Sequence, residues 1–79
     1  NIQSEINTSK GRLDAVVHTP QYLYILEFKY NKSAEIALSD IENRAYKEKY
    51  AAQNKEIIAV GINFSTEPKG INDWKTKIL

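Results

Sequence analysis

The sequence predicts an α/β domain built on a mixed central sheet, with an antiparallel hairpin followed by a crossover helix and further strands. Three observations predict it. Two apolar runs, Leu13–Val17 and Tyr22–Leu26, flank Thr19-Pro20-Gln21, whose proline cannot continue a ladder, so the runs form a hairpin. Ala34, Ala37, Leu38, Ile41 and Ala45 then recur at helical spacing. A strongly apolar run, Glu56–Phe64, follows that helix, which favours a parallel crossover onto the second hairpin strand.

Taken in order, Ile2–Asn7 alternates weakly and reads as a first strand, with a turn near Ser9-Lys10-Gly11. Leu13–Val17 is the next strand, interrupted by Asp14. Tyr22–Leu26 has the composition of a strand buried on both faces and runs on into Glu27-Phe28-Lys29. Asn31-Lys32-Ser33 breaks the pattern, and Ser33 caps a helix expected over Ala34–Ala51. Its alanine-rich stripe suits close packing on a sheet. Gly61 in the following strand allows close backbone approach. Ser65–Gly70 reads as a loop. Asn72–Leu79, with Trp74, Thr76 and Ile78 on one side, reads as a short edge strand, a helical turn being the alternative.

The chain has 79 residues, enough for one small domain near the lower limit of independent folding. It contains no Met, as expected of a piece of a longer protein. It contains no Cys, which rules out disulfides, thiolate metal sites and a cysteine nucleophile and fits a cytoplasmic location. No apolar stretch has the length of a membrane span. The net charge of +1, with both signs interspersed, is not the balance of a stand-alone DNA binder. Lys47, Lys49, Lys55, Lys69, Lys75 and Lys77 bias the second half toward positive charge, for which solubility is the first explanation. No glycine-rich Lys-Ser/Thr loop supports ATP binding by this segment.

Candidate chemistry lies at Asp14 and at Glu27-Phe28-Lys29. Side chains alternate along a strand, so Glu27 and Lys29 share a face. In a hairpin, Asp14 near the start of one strand lies beside Glu27 and Lys29 near the end of the next. Two hard oxygen ligands suit a divalent cation such as Mg²⁺, which completes its shell with water and phosphate. A lysine beside it orients water or offsets charge on a phosphate. The spacing therefore suggests metal-assisted phosphodiester hydrolysis. The plain alternative is a partly exposed ion pair worth about 0–1 kcal/mol. Against it, Glu27 directly follows an apolar run, where an uncompensated charge is costly. Tyr46 and Tyr50, one helical turn apart, line a groove or simply cover the sheet edge. Arg12 faces away from Asp14 in a regular strand and either meets a substrate from the rim or pairs with a carboxylate. His18, beside the turn, is expected at the surface without chemistry.

Gly11-Arg12-Leu13-Asp14 with Glu27-Phe28-Lys29 resembles the PD-(D/E)XK nuclease superfamily. The likeness is strongest to the branch found C-terminal to bacterial AAA-ATPase-like domains. It extends through Thr8–Asp14, Tyr24–Lys29, Ser33-Ala34-Glu35, Tyr46–Tyr50 and Val60–Ser65. The resemblance implies a restriction-endonuclease-like core that cleaves DNA with Mg²⁺ or Mn²⁺. It also implies that Asp14, Glu27 and the Phe28 carbonyl are metal ligands and that Lys29 positions the water. Arg12, Asp40 and Tyr46 become substrate-side candidates, and an ATPase-like domain is expected in the same polypeptide. Relatives carry Gln-Ile where this chain has Asp40-Ile41, an acceptor-only carboxylate in place of an amide. Relatives also have a helix before the first strand, so residues 1–79 are expected to be a single C-terminal domain piece lacking that helix. Its bared sheet face would favour a homodimer. A catalytically inactive nucleic-acid-binding or assembly module on the same scaffold is the alternative function.

Overall fold

Alternating burial along the strands organises the fold. The computed structural model describes residues 3–7 and 13–79, with β1 Gln3–Asn7, β2 Leu13–His18, β3 Tyr22–Tyr30, α1 Ala34–Glu42, α2 Tyr46–Lys49, β4 Glu56–Thr66 and β5 Lys69–Ile78. Ile2 and the expected turn at Ser9-Lys10-Gly11 lie outside the described residues. The strands form one mixed five-stranded sheet in the order β1-β2-β3-β4-β5. Only β3 and β4 pair in parallel, with α1 and α2 between them in the chain.

One face of this sheet is covered by helix. Leu23, Ile25, Ile57 and Ala59 point to that side and pack with Val16 and Ile41 into the core. Leu38, Tyr46 and Tyr50 pack against its margin. Each fully buried Leu or Ile contributes roughly 1.5–3 kcal/mol by leaving water. Gly61 is needed where α1 crosses β4, because a Cβ there would lie 2.5 Å from the Ala34 carbonyl oxygen and 3.0 Å from the Ala37 Cβ. On the opposite face the alternate residues of β3 and β4 are half-buried at best, and Phe28 and Phe64 stack at 5.8 Å between ring centres. Trp74 is 64% exposed and Ile71 and Ile78 are similarly open.

α1 starts where expected. The Ser33 side chain accepts a hydrogen bond from the Ile36 N–H at 3.1 Å, and Glu35 sits in the first turn, favourable against the helix dipole. Ala34, Ala37 and Ile41 are buried as the stripe requires. The helix does not run to Ala51, however. It ends at Glu42, and Ala45 adopts a left-handed conformation at φ 54° before α2 begins. Ala45 is exposed and does not belong to the stripe. The segment from Ser65 to Gly70 is also more regular than expected. β4 continues to Thr66 and β5 already begins at Lys69, the turn being braced by a hydrogen bond from the Ser65 hydroxyl to the Pro68 carbonyl at 2.6 Å. Asn72 falls at a register shift between the Asn63–Asp73 and Phe64–Ile71 pairs. β5 is an edge strand, as expected, and the helical alternative is excluded. His18 is the last residue of β2 rather than a turn residue. Its side chain is 15% exposed, pairs with Glu5 at 2.9 Å and meets the Tyr50 ring edge-on.

Candidate active site

The helix-facing side of the sheet changes character along its length. Leu23 and Ile25 of β3 give way to Glu27 and Lys29, and Ile57 and Ala59 of β4 give way to Asn63 and Ser65. Asp14 and Glu27 stand directly opposite one another across β2 and β3. They are 5% and 1% exposed, which is exceptional for carboxylates.

The charges that compensate them come from β3 and from the segment after α1. Lys29 Nζ lies 2.6 Å from Asp40 Oδ2 and 3.5 Å from Glu27 Oε2. Arg44 Nη1 donates to Glu27 Oε1 and, at 3.2 Å, to Asp14 Oδ2. Burial pushes the Glu27 carboxyl up to about 7, with Asp40 and Asp14 adding to the rise and Arg44 opposing it. The hydrogen bond to Asp40 raises Lys29, and the same bond holds Asp40 below the ordinary carboxylate range. Burial works against the charge on Arg44, but the Tyr46 hydroxyl and the charges of Glu27 and Asp14 outweigh it. The lysine and the arginine therefore stay cationic beside a glutamate whose charge is costly.

Of the residues singled out in the sequence, Asp14, Glu27, Lys29 and Asp40 are brought together. Tyr46 stands beside them, near Arg44 and stacked on Tyr50 at 6.3 Å between ring centres. Phe28 is on the opposite face by alternation, although its backbone remains next to Glu27. Arg12 lies outside the described residues. Arg44 is the functional-site residue that sequence reasoning missed. It lies in the turn after α1, which ends at Glu42, so no helical spacing from Asp40 announces it. Of the charged cluster, Asp14 reaches a cleft of about 280 Å³ that Glu5, Val16, Tyr46, Lys49 and Tyr50 also line.

A family model described as the PD-(D/E)XK nuclease superfamily matches residues 1–74. The chain belongs to the PD-(D/E)XK nuclease superfamily. It is also 30% identical over 73 residues to an uncharacterized protein encoded in the vnfD 5′ region of Azotobacter chroococcum mcd 1, covering 90% of this chain and 14% of that relative. No solved structure matches the chain significantly.

PD-(D/E)XK nucleases generally use divalent metals, and the donor set at Asp14 and Glu27 suits one. Two adjacent buried carboxylates are hard oxygen donors that need a cation between them. Among the described residues, no group of three or more His, Cys, Asp or Glu side chains converges on a metal position. An ion held here would thus take most of its shell from water, backbone or phosphate, as Mg²⁺ commonly does. Among the described residues, no helix is long and apolar enough to cross a membrane.

Proposed function

We propose that this domain hydrolyses phosphodiester bonds in DNA, using Mg²⁺ or Mn²⁺ held by Asp14, Glu27 and the Phe28 carbonyl. The observation that carries the reading is the buried cross-strand pair Asp14–Glu27 with Lys29 on the same face. A divalent cation there supplies Lewis-acid stabilisation of a phosphate and of the attacking water. Lys29, one alternate position beyond Glu27, holds that water and offsets charge on the phosphate. Asp40 keeps Lys29 protonated and aimed. Tyr46, with Lys49 and Tyr50 in the adjoining cleft, receives the nucleic-acid backbone, and Arg12 is a further candidate contact.

In this reading the β2–β3 hairpin, α1 and β4 form a restriction-endonuclease-like core with a crossover between β3 and β4. Residues 1–79 are one domain piece, working in the cytoplasm with an ATPase-like domain of the same bacterial polypeptide. The chain spans about 14% of the length of the curated relative it matches, so the parent's activity and partners belong to the proposal. One observation favours a second reading. Lys29 is held at 2.6 Å by Asp40, where the family resemblance implies an amide, as in a nucleic-acid-binding or assembly module without turnover.

The full-length parent decides between them in parallel plasmid-nicking and metal titrations. Lys29→Ala should lose cleavage by on the order of a hundredfold or more while keeping metal binding. Glu27→Ala should lose both. Unchanged nicking by both variants would reject the catalytic assignment.

A further inference from the structure

Arg44 holds a position that the hydrolytic reading assigns to something else. A single nitrogen, Nη1, contacts Asp14 Oδ2 and Glu27 Oε1, one oxygen from each of two carboxylates on adjacent strands. This is the bridging position between the donors. Lys29 does not compete for it, since its ammonium sits against Asp40 and the other Glu27 oxygen. Two carboxylates in direct register repel one another and are stripped of water, so a cation must lie between them in every state in which both are charged.

The placement of Arg44 suits a removable cation rather than a built-in one. It is not on a helix. It lies between the end of α1 at Glu42 and the left-handed Ala45, and its side chain is 22% exposed while the carboxylates are almost fully enclosed. Tyr46, which lies near it, lines the cleft shared with Asp14, Lys49 and Tyr50. The guanidinium can therefore withdraw toward solvent without opening the core formed by Leu23, Ile25, Ile41 and Ala59.

We propose that Arg44 is a resident counter-ion of the metal site, filling the position of the divalent cation between Asp14 and Glu27 until that cation displaces it. The proposal rests on the reading of Asp14 and Glu27 as metal ligands. It gives the domain a site that is formed before loading, and it sets a threshold for metal, because every bound ion must break two charge-assisted hydrogen bonds.

Mn²⁺ titration calorimetry on the 79-residue chain tests it, with wild type, Arg44→Gln, Arg44→Lys and Glu27→Gln compared. Losing a competitor should tighten binding in Arg44→Gln by about tenfold or more, tenfold being the equivalent of one such bond. Arg44→Lys, too short to bridge both oxygens, should fall between wild type and Arg44→Gln, and Glu27→Gln should bind more weakly than all. The Arg44→Lys result stands by itself where Arg44→Gln does not fold. A second readout uses unaltered protein: the Arg44 Nε–H resonance should move with Mg²⁺ in step with binding. Equal or weaker binding by both Arg44 variants, in the presence of a Glu27-dependent wild-type isotherm, would overturn the counter-ion role and leave the metal site standing. No Mn²⁺ binding by wild type or either Arg44 variant would remove both.

Discussion

Leu23 and Ile25 occupy one half of the helix-facing side of β3, and Glu27 and Lys29 occupy the other. Leu23, Ile25 and Glu27 are each buried to within 1% of completely. The first half is held by release of water from apolar surface, which needs no partner and tolerates small shifts. The second half is held by Arg44, Lys29 and Asp40, and its geometry must be met to a few tenths of an ångström or the charge is left bare. A strand thus stabilises the fold at one end and carries a cost at the other. The proposed chemistry gives that cost a reason.

The comparison can be broken most forcefully from the apolar half. Leu23→Ala should destabilise the domain by about 2–5 kcal/mol in urea unfolding, since the side chain is fully enclosed. A loss under about 1 kcal/mol would mean that the core collapses around the gap and that the two halves differ less than their burial implies.

Gly61 joins the halves, because α1 crosses β4 there. Gly61→Ala should cost about 1–3 kcal/mol, as its Cβ would have to displace the Ala34 carbonyl. Retained stability and an unchanged Lys29–Asp40 pairing, seen as an unshifted Lys29 ammonium signal, would show that the helix can lift without disturbing the site.

The polar half is sharpened by pH. Glu27 has an ordinary carboxyl value of 4.5 when unfolded and about 7 when folded, so between those values the native chain binds more protons. Stability then falls as pH rises from 4.5 to 7 and the loss is complete above 7. Glu27→Gln cannot titrate and should gain on wild type across that window, by on the order of 1 kcal/mol at pH 8. Thermal melts of both proteins at several pH values check this, and parallel curves would mean that Arg44 fully offsets the buried charge.

The smallest effect belongs to the open face. Trp74→Lys, at a position 64% exposed, should leave the melting temperature within a degree or two while reducing self-association in light scattering at high concentration. A chain that is monomeric with or without the substitution would overturn the homodimer expected from the sequence.

Much of this was legible in the sequence because strands alternate strictly. The hairpin pattern around Pro20 and the spacing from Asp14 to Glu27 were enough to bring the two carboxylates opposite one another. Arg44 was not legible for a physical reason. Periodicity carried the helix on through Ala45, and alanine gives no warning of a left-handed turn, whereas glycine or asparagine would have done so. Without that break, Arg44 reads as one more charge on a solvated helix face. The start of β5 was hidden similarly. Pro68 and Gly70 suggested a loop, but two residues between Thr66 and Lys69 suffice for the reversal. Full burial of Asp14 depends on long-range packing that no local pattern contains.

The short link between β3 and α1 has one more consequence. Asn31 donates its N–H to the Phe64 carbonyl at 2.7 Å, and the Lys32 N–H donates to Asn63 Oδ1 at 2.9 Å. These clasps on β4, with the Ser33 cap, fix the rotational phase at which α1 begins. Asp40 reaches Lys29 only at that phase. One residue added or removed between Lys29 and Ser33 would turn the helix by roughly 100° and carry Asp40 off its partner. In any lineage descending from this chain, the length of this connection is therefore expected to be inherited as strictly as the charged residues themselves.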